Sequence, residues 1–356
     1  RNKAMGFWGA AAPAGGTAGV FLGGILTAYV DWSWVFLINV PIGVAVLALS
    51  GVLLPRGSNN NIKKQAGRVD YPGALSITGA LVLLVYAIVT ANDAGWSSLQ
   101  TVSLLLISAG LLGAFIMIQK RSRDPLIPLR IFKTTNLLAS NIVMALLGAA
   151  WIPMWFFLNL YLQQVQGYGA FESGLALLPM TAAIMALMIG ASSRLIRLLG
   201  VKHSLVAGLG LLAVAMLMFV ATPSTNGSFA THVLPASLIA AGGMSLAYIP
   251  ALMSAVSHVR KEESGLASGI VNTSYQIGSA LGLAIVVAIA SAQTLLDENN
   301  GVGSIDALNN GYHLAFTIAA IVAAIAAIVA YVAIRQPNSS GEKKEEKEEV
   351  LVTPTG

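Results

Sequence analysis

The stretch NDAGWSSLQTVSLLLISAGLLGAFIMIQKRSR, residues 92–123, decides the fold. From Leu99 to Gln119 it has no ionisable side chain. That is close to the ~20 apolar residues an α-helix needs to cross a hydrocarbon core. On one flank stands Asp93 with no Lys or Arg, and on the other stand Lys120, Arg121 and Arg123. Basic residues collect on the cytoplasmic side of a membrane helix, so this asymmetry gives the run a direction.

Working outward, the same pattern repeats along the whole chain. Ten apolar runs read as membrane helices: 5–28, 33–54, 71–91, 99–119, 136–162, 172–192, 203–222, 232–256, 265–292 and 312–334. Every second gap is basic: Arg1 and Lys3, then Arg56, Lys63, Lys64 and Arg68, then Lys120 to Lys133. Arg194, Arg197 and Lys202 follow, then Arg260 and Lys261, then Arg335, Lys343, Lys344 and Lys347. The alternate gaps, Asp31 to Ser33, 92–98, 163–171, 223–231 and 293–311, hold no Lys or Arg. A multi-pass membrane protein with both ends of this chain in the cytoplasm is expected, its basic gaps in contact with lipid headgroups.

Composition agrees. The chain is 56% hydrophobic and 10% charged, against about 25% charged for a soluble domain. The net charge of +5 sits in juxtamembrane gaps, so nucleic acid is not an expected partner. There is no cysteine, and so no disulfide. No phosphate-binding loop, HExxH or GxSxG motif is present, which argues against ATP hydrolysis and enzyme chemistry. The tail 336–356, with its Glu342-Lys-Lys-Glu-Glu-Lys-Glu-Glu349 run, reads as a disordered cytoplasmic extension.

Ionisable side chains are expensive inside a bilayer and mark function there. None lies deep in any of the ten runs. Neutral polar residues do: Asn39, Asn141, Asn159, Tyr248, Asn272, Tyr275 and Gln276. Asn272 and Gln276, four apart, share a helix face. Asn159, Tyr248, Asn272 and Gln276 are the candidates for a substrate pathway; interhelical hydrogen bonding is the competing reading and stands slightly ahead of it. Gly15, Gly19, Gly23, Gly24, Gly265, Gly269, Gly278 and Gly282 form small-xxx-small patterns that suit close packing or a sliding face. The cluster of Trp151, Trp155, Phe156 and Phe157 fits an apolar cavity wall and an interfacial belt equally.

Particular motifs carry a resemblance. Trp32-Ser-Trp-Val-Phe-Leu-Ile-Asn-Val-Pro-Ile-Gly43, Asp70-Tyr-Pro-Gly73 and Tyr161-Leu-Gln-Gln-Val-Gln-Gly-Tyr168 with Ser173-Gly-Leu-Ala-Leu-Leu-Pro179 are three of them. Gly265-Leu-Ala-Ser-Gly269 with Asn272, Gln276 and Gly278-Ser-Ala-Leu-Gly282 is the fourth. Together they resemble the fourteen-helix drug:proton antiporters of the major facilitator superfamily. The glycine string 15–24 is similar to that family's fifth-helix motif, with Val20 in place of its proline. Tyr275 stands where the family often has Arg.

The resemblance implies an all-α integral membrane bundle holding ten of fourteen helices, with the first four upstream of residue 1. It implies that 1–54 carries the last two helices of an N-terminal half, 55–70 a cytoplasmic linker, and 71–133 an extra central pair with its link. It further implies that 134–335 is a six-helix C-terminal half. The implied activity is export of drugs or other amphipathic small molecules by a monomer driven by the proton gradient, with no cofactor. The acid and Arg of the coupling machinery would lie upstream. A carrier of the same fold for a metabolite or lipid is the alternative, as is a membrane fragment that does not transport.

With no native cysteine, single-cysteine labelling reads topology directly. Ser58→Cys is expected to react with an impermeant maleimide only from the cytoplasm, and Ser97→Cys only from outside; reaction from the same face would overturn the bundle.

Overall fold

The computed structural model describes residues 15, 19, 22–53, 70–122, 125–223, 227–260 and 263–335. Most of the expected first run, the linker 55–69 and the tail 336–356 lie outside these, as do Trp8, Arg1, Lys3, Arg56, Lys63, Lys64, Arg68, Arg123, Lys261, Lys343, Lys344 and Lys347. The described chain is helical, and nine of its helices are long and apolar enough to cross a membrane. Lipid offers no partner to a backbone N–H or C=O, so each span must satisfy its own.

Residues 22–29 are helical, and one helical turn, Trp34–Leu37, leads into α1, Asn39–Leu53. The central pair is α2, Tyr71–Ala94, and α3, Leu99–Arg121. Six further helices follow: α4 Leu137–Leu160, α5 Ala170–Gly190, α6 Ser192–Val220, α7 Leu234–Val256, α8 Ser264–Asn299 and α9 Ser304–Ala333. The six form one bundle: α4 lies against α8 and α9, α6 against α7 and α9, and α5 against α7. The central pair touches this bundle through α2 and α8.

Several boundaries differ from the sequence expectation. The basic gap at 193–202 is itself helical. α6 begins at Ser192 and is broken only at Gly200, whose φ of 79° is left-handed and suits a residue without Cβ. Arg194 and Arg197 therefore sit on a helical segment. α8 runs on to Asn299 and α9 starts at Ser304, so the expected 293–311 link shrinks to a four-residue turn around Gly301 at φ 84°. At 36 residues α8 is about 54 Å long, well beyond a ~30 Å hydrocarbon core. Hydropathy marks where lipid ends; helices end where a residue breaks the backbone pattern. The outer gaps contain π-helical turns at Tyr161–Val165 and Phe229–Val233.

Two ends of the bundle are chemically distinct. At one, Arg130 and Arg260 meet Glu263 at 3.1 and 3.4 Å. There Asn136 also exchanges two hydrogen bonds with the Arg335 backbone, at 2.7 and 2.8 Å, and Lys202 Nζ stands 5.1 Å from the centre of the Tyr331 ring. Asp70 caps α2 at the same end, accepting from Gly73 N–H at 2.9 Å, Gln119 Nε2 at 2.7 Å and Leu126 N–H at 3.4 Å. The Gly73 N–H bond above all holds its carboxyl below the usual carboxylate range. Stability from this cap is present above that range and is lost as the pH falls through the lowered pKa. A side chain at position 73 would collide with this carboxylate. The other end, around Tyr161, Thr222 and Asp297, has no Lys or Arg among the described residues.

Helices in lipid gain nothing from hiding apolar surface from lipid tails, so contact comes from close packing. A Cβ at Gly278 would enter the backbone of Ala145, and one at Gly282 the backbone of Ala149. Gly148 is pressed in turn against the Tyr275 carbonyl and Ser279. Between α6 and α7, a Cβ at Gly208 would come within 2.6 Å of Ala247 N. The α9 seam is a ladder of buried alanines, among them Ala315, Ala319, Ala323, Ala326 and Ala330.

Gly278→Val is expected to cost about 1–3 kcal/mol of stability through overpacking. Gly269→Val, which meets nothing within 4 Å, should leave the thermal unfolding midpoint in detergent nearly unchanged.

Candidate substrate pathway

The four polar residues singled out from sequence fall into two places. Tyr248 on α7 and Tyr275 on α8 meet edge to face, with ring centroids 5.7 Å apart and planes at 87°. Asn272 and Gln276 flank Tyr275 on α8 and are both exposed on the bundle surface. Neither carboxamide has a hydrogen-bond partner among the described residues. Tyr275 lies against Gly148, near the middle of α4, so this group sits well inside the span. Asn159 is elsewhere. Ala145 abuts Gly278, and fourteen residues of helix place Asn159 roughly 20 Å nearer the outer end than Gln276.

At that outer end Asn159 belongs to a different network. Gln163 Nε2 donates to Asn159 Oδ1 and to Ser173 Oγ on α5, both at 3.0 Å. The π-turn at Tyr161–Val165 adds an extra residue per turn and so spreads the neighbouring side chains over several helices. Tyr161, 1% exposed, donates to the Pro223 carbonyl at 2.9 Å. Gln166 Nε2 donates to the Tyr161 oxygen at 2.8 Å and to Pro223 at 3.2 Å. The Tyr312 hydroxyl of α9 donates to Gln164 Oε1. His313 Nε2 donates to the Thr222 carbonyl at 2.7 Å. The glutamine-rich motif thus ties α4 to α5, to the end of α6 and to α9.

Other polar residues are spent on structure. Asn39 Nδ2 donates to the carbonyls of Val35 and Phe36 at 3.1 and 3.3 Å, just before Pro41. Asn141 donates to the Leu137 carbonyl at 2.8 Å and accepts from Ser274 Oγ at 2.7 Å, joining α4 to α8. The aromatic cluster on α4 is split by helix geometry. Trp151 and Phe157 are buried at 6% and 3%, Trp155 is half-buried, and Phe156 is exposed. Phe157 packs on Tyr312 at 5.4 Å.

The glycines divide as well. Gly278 and Gly282 face α4, whereas Gly265 and Gly269 continue the open face of Asn272 and Gln276. Gly15, Gly19 and Gly23 meet nothing within 4 Å among the described residues. A Cβ at Gly24 would lie 3.4 Å from the Ala170 carbonyl oxygen at the start of α5, where Tyr29 also meets Phe171 edge to face. In the sequence Tyr275 is one neutral polar residue at depth among several. What singles it out is the Tyr248 ring opposite it, and no sequence signal on α8 announces a residue on α7.

Known proteins are similar to this chain over most of its length. Residues 1–283 match the Major Facilitator Superfamily. The chain is 34% identical over 329 residues to the puromycin resistance protein of Streptomyces alboniger, covering 90% of this chain and 63% of that protein. It is 33% identical to the cephamycin export protein of Amycolatopsis lactamdurans, over 83% of this chain and 60% of the relative. It is 32% identical to the tetracenomycin C resistance and export protein of Streptomyces glaucescens, over 80% and 52%. The chain thus spans between about half and two thirds of the length of these relatives. An auto-inhibited POT family peptide transporter superposes with a TM-score of 0.55 at 17% identity, over 90% of this chain and 68% of that one, a likeness of fold.

Tyr161→Phe removes a buried hydroxyl that serves both Pro223 and Gln166, and is expected to cost about 1 kcal/mol. A lowered thermal midpoint in detergent checks it, with Phe156→Leu, on the exposed face, as the neutral comparison.

Proposed function

The chain belongs to the Major Facilitator Superfamily, and on that premise we propose that it serves the export of drugs or related amphipathic small molecules, exchanged for protons by alternating access. The observation that carries the reading is the open face of α8. Asn272 and Gln276 are side by side inside a membrane span, exposed, and without partners among the described residues. A polar group left unpaired in hydrocarbon costs several kcal/mol, so this face does not suit lipid. It suits a water-filled pathway or the second half of a transporter, with substrate held near the midplane between halves. The resistance and export proteins among the relatives support a drug-like cargo.

The orientation proposed is a plasma-membrane protein with both ends of this chain in the cytoplasm, because the described basic residues gather at one end of the bundle. No cofactor enters the reading; the energy source is the proton gradient. No carboxylate lies deep in the described spans.

Everted membrane vesicles test it. An acid-inside gradient is expected to drive uptake of an amphipathic dye, and an uncoupler to abolish it. Asn272→Ala with Gln276→Ala should cut uptake about tenfold at equal protein level, the loss of about 1.4 kcal/mol. Uptake indifferent to the gradient would remove proton coupling from the reading, and no uptake would remove export.

A further inference from the structure

We propose that Tyr248, Tyr275, Asn272 and Gln276 form one recognition platform for a neutral, planar aromatic molecule that carries carbonyl or hydroxyl groups. The inference rests on the export reading above and adds the chemical class of the cargo.

Three observations converge on it. The first is rigidity. Tyr275 stands on a backbone pressed into Gly148 of α4, and the adjacent Ser274 donates to Asn141 Oδ1 at 2.7 Å. Tyr248 follows Ala247, whose backbone is pressed into Gly208 of α6. The backbone under each ring is held by these close helix contacts and both rings are packed against the core, so little order remains to be lost when a ligand arrives. The second is shape. The edge-to-face pair at 5.7 Å and 87° offers one ring face beside one ring edge, a corner that a flat ring system fills by stacking on one and meeting the edge of the other.

The third is polarity. Asn272 and Gln276 place two carboxamides one helical turn apart on the exposed face beside Tyr275, with no hydrogen-bond partner among the described residues. The Tyr248 hydroxyl also has no hydrogen-bond partner among the described residues. No Asp, Glu, Lys or Arg stands on α7 or α8 within two helical turns of the pair. A neutral amide pair rewards carbonyl and hydroxyl groups and gives no charge to a cation. A site that hydrogen-bonds its ligand discriminates strongly against an analogue that cannot reciprocate, because its own polar groups are then left unpaired.

The test is equilibrium binding to the purified chain in nanodiscs, with a dihydroxyanthraquinone as the neutral planar probe and tetraphenylphosphonium as an aromatic cation without hydrogen-bonding groups. The anthraquinone is expected to bind more tightly. Tyr275→Leu should weaken it about tenfold, the size of one lost aromatic contact. Gln276→Leu keeps size on an exposed face, so it is not expected to disturb folding, and it should weaken the anthraquinone while leaving the phosphonium unchanged. Tyr248→Phe should retain stacking and lose only the hydroxyl's share. Anthraquinone binding indifferent to both Tyr275→Leu and Gln276→Leu, with unfolding midpoints as in the parent, would overturn the platform and leave export standing. Equal affinity for the two probes with equal sensitivity to Gln276→Leu would overturn the neutral class. A parent chain that binds neither probe would overturn both this inference and the export reading.

Discussion

Backbone-to-backbone contact at glycine and alanine is the constraint on which this bundle depends. In water, six apolar helices would be driven together by the surface they hide. In lipid that drive is absent, and association rests on how closely helices approach and how well their polar groups pair. α4 and α8 touch through Ala145, Gly148, Ala149, Gly278 and Gly282, where no larger side chain fits. α6 and α7 touch through Gly208, Gly243 and Ala247. Large apolar side chains such as Leu106, Leu198, Ile328 and Val332 point outward instead. An inside-out look by the standards of a soluble protein is what a lipid solvent demands.

These seams also place the chemistry. The contact that brings α8 onto α4 uses one face of α8, and the opposite face carries Gly265, Gly269, Asn272 and Gln276. The same helix is therefore a packing element on one side and an unpartnered polar wall on the other. The outer ends are fastened differently, by the hydroxyl, glutamine and carbonyl groups around Tyr161, Thr222 and Pro223. The opposite ends are joined by ion pairs and the Asp70 cap. These polar residues hold helix ends, whereas the exposed amides of Asn272 and Gln276 have no hydrogen-bond partner among the described residues.

Neighbouring helices separate residues that the sequence presents as alike. Asn159 looked equivalent to Asn272 and Gln276, since each is a neutral polar residue in an apolar run. Helix register separates them, because a contact at Ala145 and Gly278 sets the relative height of every residue on α4 and α8. Arg194 and Arg197 were expected in a loop because they are charged. They lie on helix because charge tells where lipid stops, and the backbone continues until Gly200. The turn at Gly301 replaced a longer expected link for the same reason.

Legible along the chain alone were a helical membrane protein, the rough positions of its spans, and which gaps carry the basic residues. Those are one-dimensional properties: run length, mean hydropathy and the alternation of basic residues act along the chain and need no partner. The sequence also carried the family motifs. Only the tertiary structure decided which glycines are packed and which are open, which polar residues are already paired, and that Tyr275 faces Tyr248. Each of these depends on the rotation and height of one helix against another, and a single helix does not record either.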